Sequence, residues 1–217
     1  MTDEMKERLI KLLPEIERRI KLHHELYTTA VKAENWEEIL HNSINKIFGE
    51  GQSDWDPGSH KVGADVGTHI LGRISCKSGV ISKTKKAPEK VTISGSRTTS
   101  HKTLEDKISH LSQSHDDLYC CLSKVKDTKS SKGVYTAGFK HDALNGSFNY
   151  RLLVFSSATI RPSNLANWRQ DPKNSKNYLA EGEGIAQSIT ESMSAQLWTD
   201  LDTDKILYDF PINISND

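Results

Sequence analysis

Along the chain, apolar residues recur at two different periods. Leu9, Leu13, Ile16 and Ile20 repeat at helical spacing with charges between them, so Met1 to Ala30 is expected to be a helix that Pro14 kinks or splits. Trp36, Ile39, Leu40, Ile44, Ile47 and Phe48 mark a second helix from Asn35 to Phe48, which Gly49 to Gly51 should stop. Ser53 to His60 is turn-rich through its Pro-Gly and Asx content. Two short β-like runs then fill Gly63 to Gly79, and the sheet continues to Ser100 with Val91 to Ile93 as its clearest strand. Leu104, Ile108, Leu111, Leu118, Leu122 and Val125 predict one long helix over Thr103 to Val125, capped by Ser100 or Thr103. Strands are expected at Val134 to Lys140 and Tyr150 to Ile160, a polar loop at Arg161 to Glu183, a last helix at Gly184 to Leu201 and an edge strand at Ile206 to Ile214. That order predicts an α/β protein with a central mixed sheet and helices on both faces.

The 217 residues suit one domain, with 1–34 a helical extension, 35–160 a core, 161–183 a loop and 184–217 a closing helix and strand. No run approaches the ~20 apolar residues of a membrane span, and the N-terminus shows no signal-peptide pattern. The 3 cysteines, Cys76 and the adjacent Cys120 and Cys121, form neither a disulfide framework nor a Cys-x-x-Cys zinc pair. They point to a reduced, cytoplasmic protein. The 29 basic and 29 acidic residues balance overall but not locally. Arg73, Lys77, Lys83, Lys85, Lys86, Lys90, Arg97 and Lys102 are interrupted only by Glu89, whereas acids dominate from Glu181 onward. The plain reading is two solvated surfaces of opposite sign; the sharper one is a basic groove.

The chemistry-bearing stretch is Gly63 to Gly79. Asp65 opens one strand-like run, and Ser75 and Lys77 share a face of the next. A bend between them would set a carboxylate beside an ammonium, the pairing that metal-assisted phosphodiester hydrolysis uses. Asp54 and Asp56 are alternatives to Asp65. Glu37 and Glu38 fall in what reads as a first helical turn, where acids ordinarily complement the helix dipole and a metal ligand is the lesser alternative. His110 and His115 are five apart and do not make a metal pair on one helix face.

Trp36-Glu37-Glu38, then Gly63-Ala64-Asp65, then Ile74-Ser75-Cys76-Lys77, with a helix from Thr103 and a strand from Tyr150, resemble the PD-(D/E)xK nuclease superfamily, and within it a type II restriction endonuclease. Ser75 stands where that family usually has an acid, as in a Ser-x-Lys subgroup that takes the missing carboxylate from the following helix. The resemblance implies a restriction-endonuclease-like fold and a homodimer acting on double-stranded DNA, with no small-molecule cofactor. It implies Mg²⁺ held by Asp65, Glu105 and the Cys76 carbonyl, with Lys77 steadying the attacking water. Glu89 and Glu38 are alternatives to Glu105. Lys83, Lys85 and Lys86 would hold phosphates. Arg97, Lys102 and the loop carrying Arg161, Asn164, Arg169 and Lys173 would contact bases. Two other readings are a repair or recombination nuclease of the same fold, and a DNA-binding module without the chemistry.

Overall fold

The computed structural model describes the chain except residues 1–2, 28, 56–64, 85–86, 98–102, 113–116, 126–133, 137–138, 142–146, 162, 164, 183–184, 191–193 and 216–217. Its elements run α1 (Asp3–Leu26), α2 (Ala33–Phe48), β1 (Ser53–Asp54), β2 (Val66–Thr68), β3 (Gly72–Thr84), β4 (Ala87–Arg97), α3 (Leu104–Ser112) and β5 (Leu118–Val125). There follow β6 (Val134–Thr136), β7 (Phe139–His141), β8 (Ser147–Ser156), β9 (Arg169–Asp171), β10 (Asn174–Gly182), β11 (Ile185–Thr190), β12 (Ser194–Asp200) and β13 (Ile206–Ser215).

The protein is mixed α/β, built on an 11-stranded sheet ordered β13-β8-β5-β3-β4-β12-β11-β10-β9, with β1 and β2 on the flank of β3. β3 and β5 are parallel, with Cys76 beside Cys120 and Lys77 beside Cys121, and the other pairings are antiparallel. β6 and β7 form a separate hairpin.

One face is covered by α1 and α2. Leu9, Leu12, Ile16 and Ile20 of α1 and Trp36, Leu40 and Ile44 of α2 pack with Ile74, Cys76, Cys120, Leu122, Leu152, Val154 and Ile212. The Trp36 indole N–H donates to the Cys120 carbonyl at 2.9 Å, which pins α2 to β5. Residues 1–34 therefore supply part of the main core. α1 runs unbroken through Pro14, whose missing N–H removes a bond to the carbonyl of the exposed Ile10, where water can replace it.

The opposite face differs from the expected second helical layer. Ile81, Val91, Ile93, Cys121, Leu153 and Phe155 pack there against Ile160, Leu165, Ala180, Ile185 and Leu197, and none of these lies in an α-helix. Ile160 and Leu165 belong to the connection from β8 to β9, and the Gln187 amide on β11 donates to the Ile160 carbonyl at 2.6 Å, so this connection lies over that face of the sheet.

One expected helix, and the second half of another, are strands. The helix from Thr103 ends at Ser112, and Leu118–Val125 is β5. Gly184 to Leu201 holds β11 and β12. Within the expected loop 161–183, β9 and β10 form a hairpin. The Thr103 cap is present: its Oγ1 accepts the Asp106 N–H at 3.1 Å. Among the described residues no helix is long and apolar enough to cross a membrane.

Candidate active site

A break in one edge of β3 creates the site. β2 pairs with that edge as far as Val66 opposite Ile74, and β4 takes it over from Ile93 opposite Gly79. Between Ile74 and Gly79 neither strand pairs with it, so the backbone groups there need other partners. Asp65, the residue before β2, fills the opening. Its Oδ2 accepts the Cys76 N–H at 2.7 Å, the Lys77 Nζ at 3.0 Å and the Ser75 hydroxyl at 3.1 Å. Lys77 Nζ also donates to the Cys76 carbonyl at 3.2 Å and lies 5.8 Å from the Tyr119 ring centre.

The β2–β3 turn that sets this geometry is short. Thr68 pairs with Gly72, and the Thr68 Oγ1 accepts the N–H groups of Ile70 and Leu71 at 3.1 and 2.6 Å. Gly72 closes it at φ 79°, a left-handed conformation suited to glycine, with the Asp117 carboxylate packed where a Cβ would go.

Lys77 and Asp65 are mostly enclosed, at 17% and 28% side-chain exposure. Burial pushes the Lys77 ammonium down, but the charge and hydrogen bond of Asp65 outweigh it and hold the group above the ordinary lysine value. It is a fixed cation and a hydrogen-bond donor. The Ser75 hydroxyl donates to Asp65 and helps to orient it.

A further carboxylate lies within electrostatic reach of Asp65 and Lys77. Glu37 on α2 is held above the usual range, first by burial and then by the Asp65 charge, with a smaller opposing pull from Lys77. The Trp55 indole N–H reaches Glu37 Oε2 at 3.5 Å, and the Trp55 ring lies 5.5 Å from His41, whose Nδ1 is 3.1 Å from the Ser53 hydroxyl. The sequence reading assigned Glu37 to the helix dipole because it began α2 at Asn35. α2 begins at Ala33 and Glu34 is its first-turn acid, so Glu37 lies one turn further in.

Glu105 is exposed on α3, whose Lys107 reaches the Thr190 carbonyl on β11 at 3.5 Å. Glu89 is on β4 beside Lys90, which pairs with Ser82 five residues along β3 from Lys77, and it bonds Arg151 at 3.3 Å. Glu38 is exposed on α2, and Asp54 is exposed on β1; Asp56 lies outside the described residues.

Of the expected DNA contacts, Lys85, Lys86, Lys102 and Asn164, with the side chains of Lys83 and Arg97, lie outside the described residues. Arg161 is half-buried, Arg169 is exposed and pairs with Glu181 at 3.0 Å, and Lys173 is exposed. The basic and acidic stretches do not face apart. β4 lies against β12, and Lys90 bonds Asp200 at 3.2 Å. The three cysteines are free and buried, and burial pushes the Cys120 and Cys121 thiols up to about 12, so they behave as small core residues.

Among the described residues no three His, Cys, Asp or Glu side chains are grouped to hold a metal. The oxygen donors that this place would offer a metal are the Asp65 and Glu37 carboxylates and the Cys76 carbonyl; Mg²⁺ takes one or two carboxylates and keeps its remaining positions for water and phosphate. All the hydrogen bonds described for Asp65 fall on Oδ2, so Oδ1 is the oxygen placed to serve as a ligand. No protein-family model, curated protein or solved structure matches the chain.

Proposed function

We propose that the protein is a Mg²⁺-dependent endonuclease that hydrolyses phosphodiester bonds of double-stranded DNA at defined sites, as a type II restriction enzyme does. The observation that carries this reading is the Asp65–Lys77 pair, set in the open edge of β3 and joined by Glu37. Two carboxylates and a buried ammonium suit a reaction in which negative charge builds on phosphorus oxygens.

Asp65 and Glu37, with the Cys76 carbonyl, would hold Mg²⁺. The bound ion would lower the pKa of a coordinated water and offset the charge of the phosphate. Ser75 and the Cys76 N–H fix the rotation of the Asp65 carboxylate. Lys77, held protonated, places its positive charge beside the attacked phosphate and hydrogen-bonds the incoming oxygen. Trp55 limits the motion of Glu37. Glu37 thereby takes the part that the resemblance gave to Glu105. Cutting both strands of a duplex with one such centre per chain calls for two copies related by a two-fold axis.

The test compares Asp65→Asn, Glu37→Gln, Lys77→Ala and the unmodified protein on supercoiled plasmid, alongside calorimetric titration with Mg²⁺. The first two should lose metal binding and cleavage together, whereas Lys77→Ala should lose cleavage and keep metal binding. Equal cleavage by all four proteins would rule the site out.

A further inference from the structure

Beyond β8, the polar stretch contains a structure that the spacing of its residues did not show, a two-stranded ribbon at one end of the sheet. β9 and β10 are joined by a turn at 172–173, and β9 is the last strand in the order. Arg169, Gln170 and residues 172–176 are exposed. The ribbon is anchored at its base, not at its tip. Ala180 is fully buried in the cluster that contains Cys121, the partner of Lys77, and a Cβ on Gly182 would come within 2.9 Å of Leu165.

The tip has its own order. The Lys173 N–H donates to Asp171 Oδ1 at 2.8 Å, the Lys176 N–H to Asn174 Oδ1 at 3.1 Å, and the Gln170 amide to the Ser175 carbonyl at 3.4 Å. Asn174 faces Asp171 but Tyr178 faces Gln170, so residues 175–177 bulge from the ladder. Such a bulge twists a ribbon and re-aims its side chains. Toward the tip the cations Lys173 and Lys176 outnumber the acid Asp171, and Glu181 sits back at the base with Arg169.

We propose that the β9–β10 hairpin enters the major groove of duplex DNA and reads base edges there, with Lys173 and Lys176 on phosphates and Gln170 and Asn174 as the base-reading side chains. The inference rests on the nuclease reading above and names the surface that would choose its target. The major groove is about 12 Å wide and admits a two-stranded ribbon, and Asn and Gln amides match the donor and acceptor pair of adenine. The tip is exposed, and the Gln170 and Asn174 amides each use one side-chain atom to order it, which leaves the Gln170 Oε1 and the Asn174 Nδ2 to face a duplex beside the two lysines.

The experiment incubates the full chain with a random-sequence duplex library, with Ca²⁺ in place of Mg²⁺ so that binding is read without cutting, and sequences the bound fraction. The unmodified protein should enrich one sequence. The double variant Lys173→Ala, Lys176→Ala should bind that sequence on the order of 10-fold or more weakly, with a salt slope reduced by roughly two. Asn174→Ala should relax preference at about one base pair and cost ~10-fold for the enriched sequence only. Unchanged affinity and preference in both variants, with unaltered circular dichroism, would overturn the ribbon's role. A protein that binds the enriched sequence but leaves it intact in Mg²⁺ would overturn the hydrolase reading while the ribbon's role is upheld. A protein that binds no duplex would overturn both.

Discussion

Asp65 Oδ2 receives three donors from consecutive residues of one strand, and this convergence is what the gap between β2 and β4 permits. The sequence disclosed Asp65, Ser75 and Lys77 because strand alternation places the last two on one face and a turn brings the first alongside. Glu37 was only partly legible: Trp36-Glu37-Glu38 belonged to the resemblance, but its neighbour Asp65 is 28 positions away, and the favoured explanation, a dipole-complementing acid, rested on a helix start placed two residues late. The two acids can be separated directly. Glu37→Gln should lower Mg²⁺-dependent cleavage by ~100-fold or more, a typical loss for a group acting on transition-state charge. Glu105→Gln should stay within a few-fold of the unmodified protein, and single-turnover rates on one duplex decide between them.

A second residue-scale expectation concerns acid stability. Burial, more than any neighbouring charge, pulls the His24 imidazole down to about 4. Its Nε2 lies 2.8 Å from the Tyr150 hydroxyl, which also accepts the Val31 N–H at 3.2 Å. The folded state therefore favours the neutral ring, whereas an unfolded histidine binds its proton near pH 6.5. Stability from this group is full above pH 6.5 and is lost as pH falls toward 4, because the unfolded state binds the proton first. The urea midpoint should drop across that window, and His24→Gln should flatten the drop.

At the scale of elements, the misread segments share a cause. β5 reads Leu-Tyr-Cys-Cys-Leu-Ser-Lys-Val and is buried on both faces over Cys120–Ser123, so it lacks the alternation that identifies a strand with one wet side. In β11, Ile185 and Ile189 are four apart, a spacing that fits a strand face as well as a helix face. The helices α1 and α2 were legible because each carries several turns of one-sided burial. β3 and β4 meet at Gly79, where a Cβ would come within 2.7 Å of Ser123 Oγ, 2.9 Å of Cys121 Sγ and 3.1 Å of the Thr92 carbonyl. Ser123 and Cys121 are fully buried and have no room to withdraw. Gly79→Ala should destabilise the fold by about 1–3 kcal/mol, the usual cost of overpacking, as a lower urea midpoint with an unchanged slope. Trp36→Ala, which empties a fully buried site and frees the Cys120 carbonyl, should cost about 3–5 kcal/mol by the same measurement.

At the scale of the whole molecule, the long sheet relates everything else. It gives one face to α1 and α2, carries the β8–β9 connection on the other, and anchors the β9–β10 hairpin in the cluster that contains the neighbour of Lys77. The class was legible from the order of elements, but the strand order was not, because it depends on pairing β4 with β12 across about a hundred residues of chain. That pairing also neutralises part of the basic stretch by setting Lys90 against Asp200. The most direct measurement of the central claim is digestion of unmethylated phage duplex DNA at low salt by the unmodified protein and by Lys77→Ala, each with Mg²⁺ and with EDTA. Discrete fragments from the unmodified protein with Mg²⁺ alone are the predicted result, since phosphate contacts are strongest at low salt. Intact DNA in that lane, or the same fragments from Lys77→Ala, would contradict it.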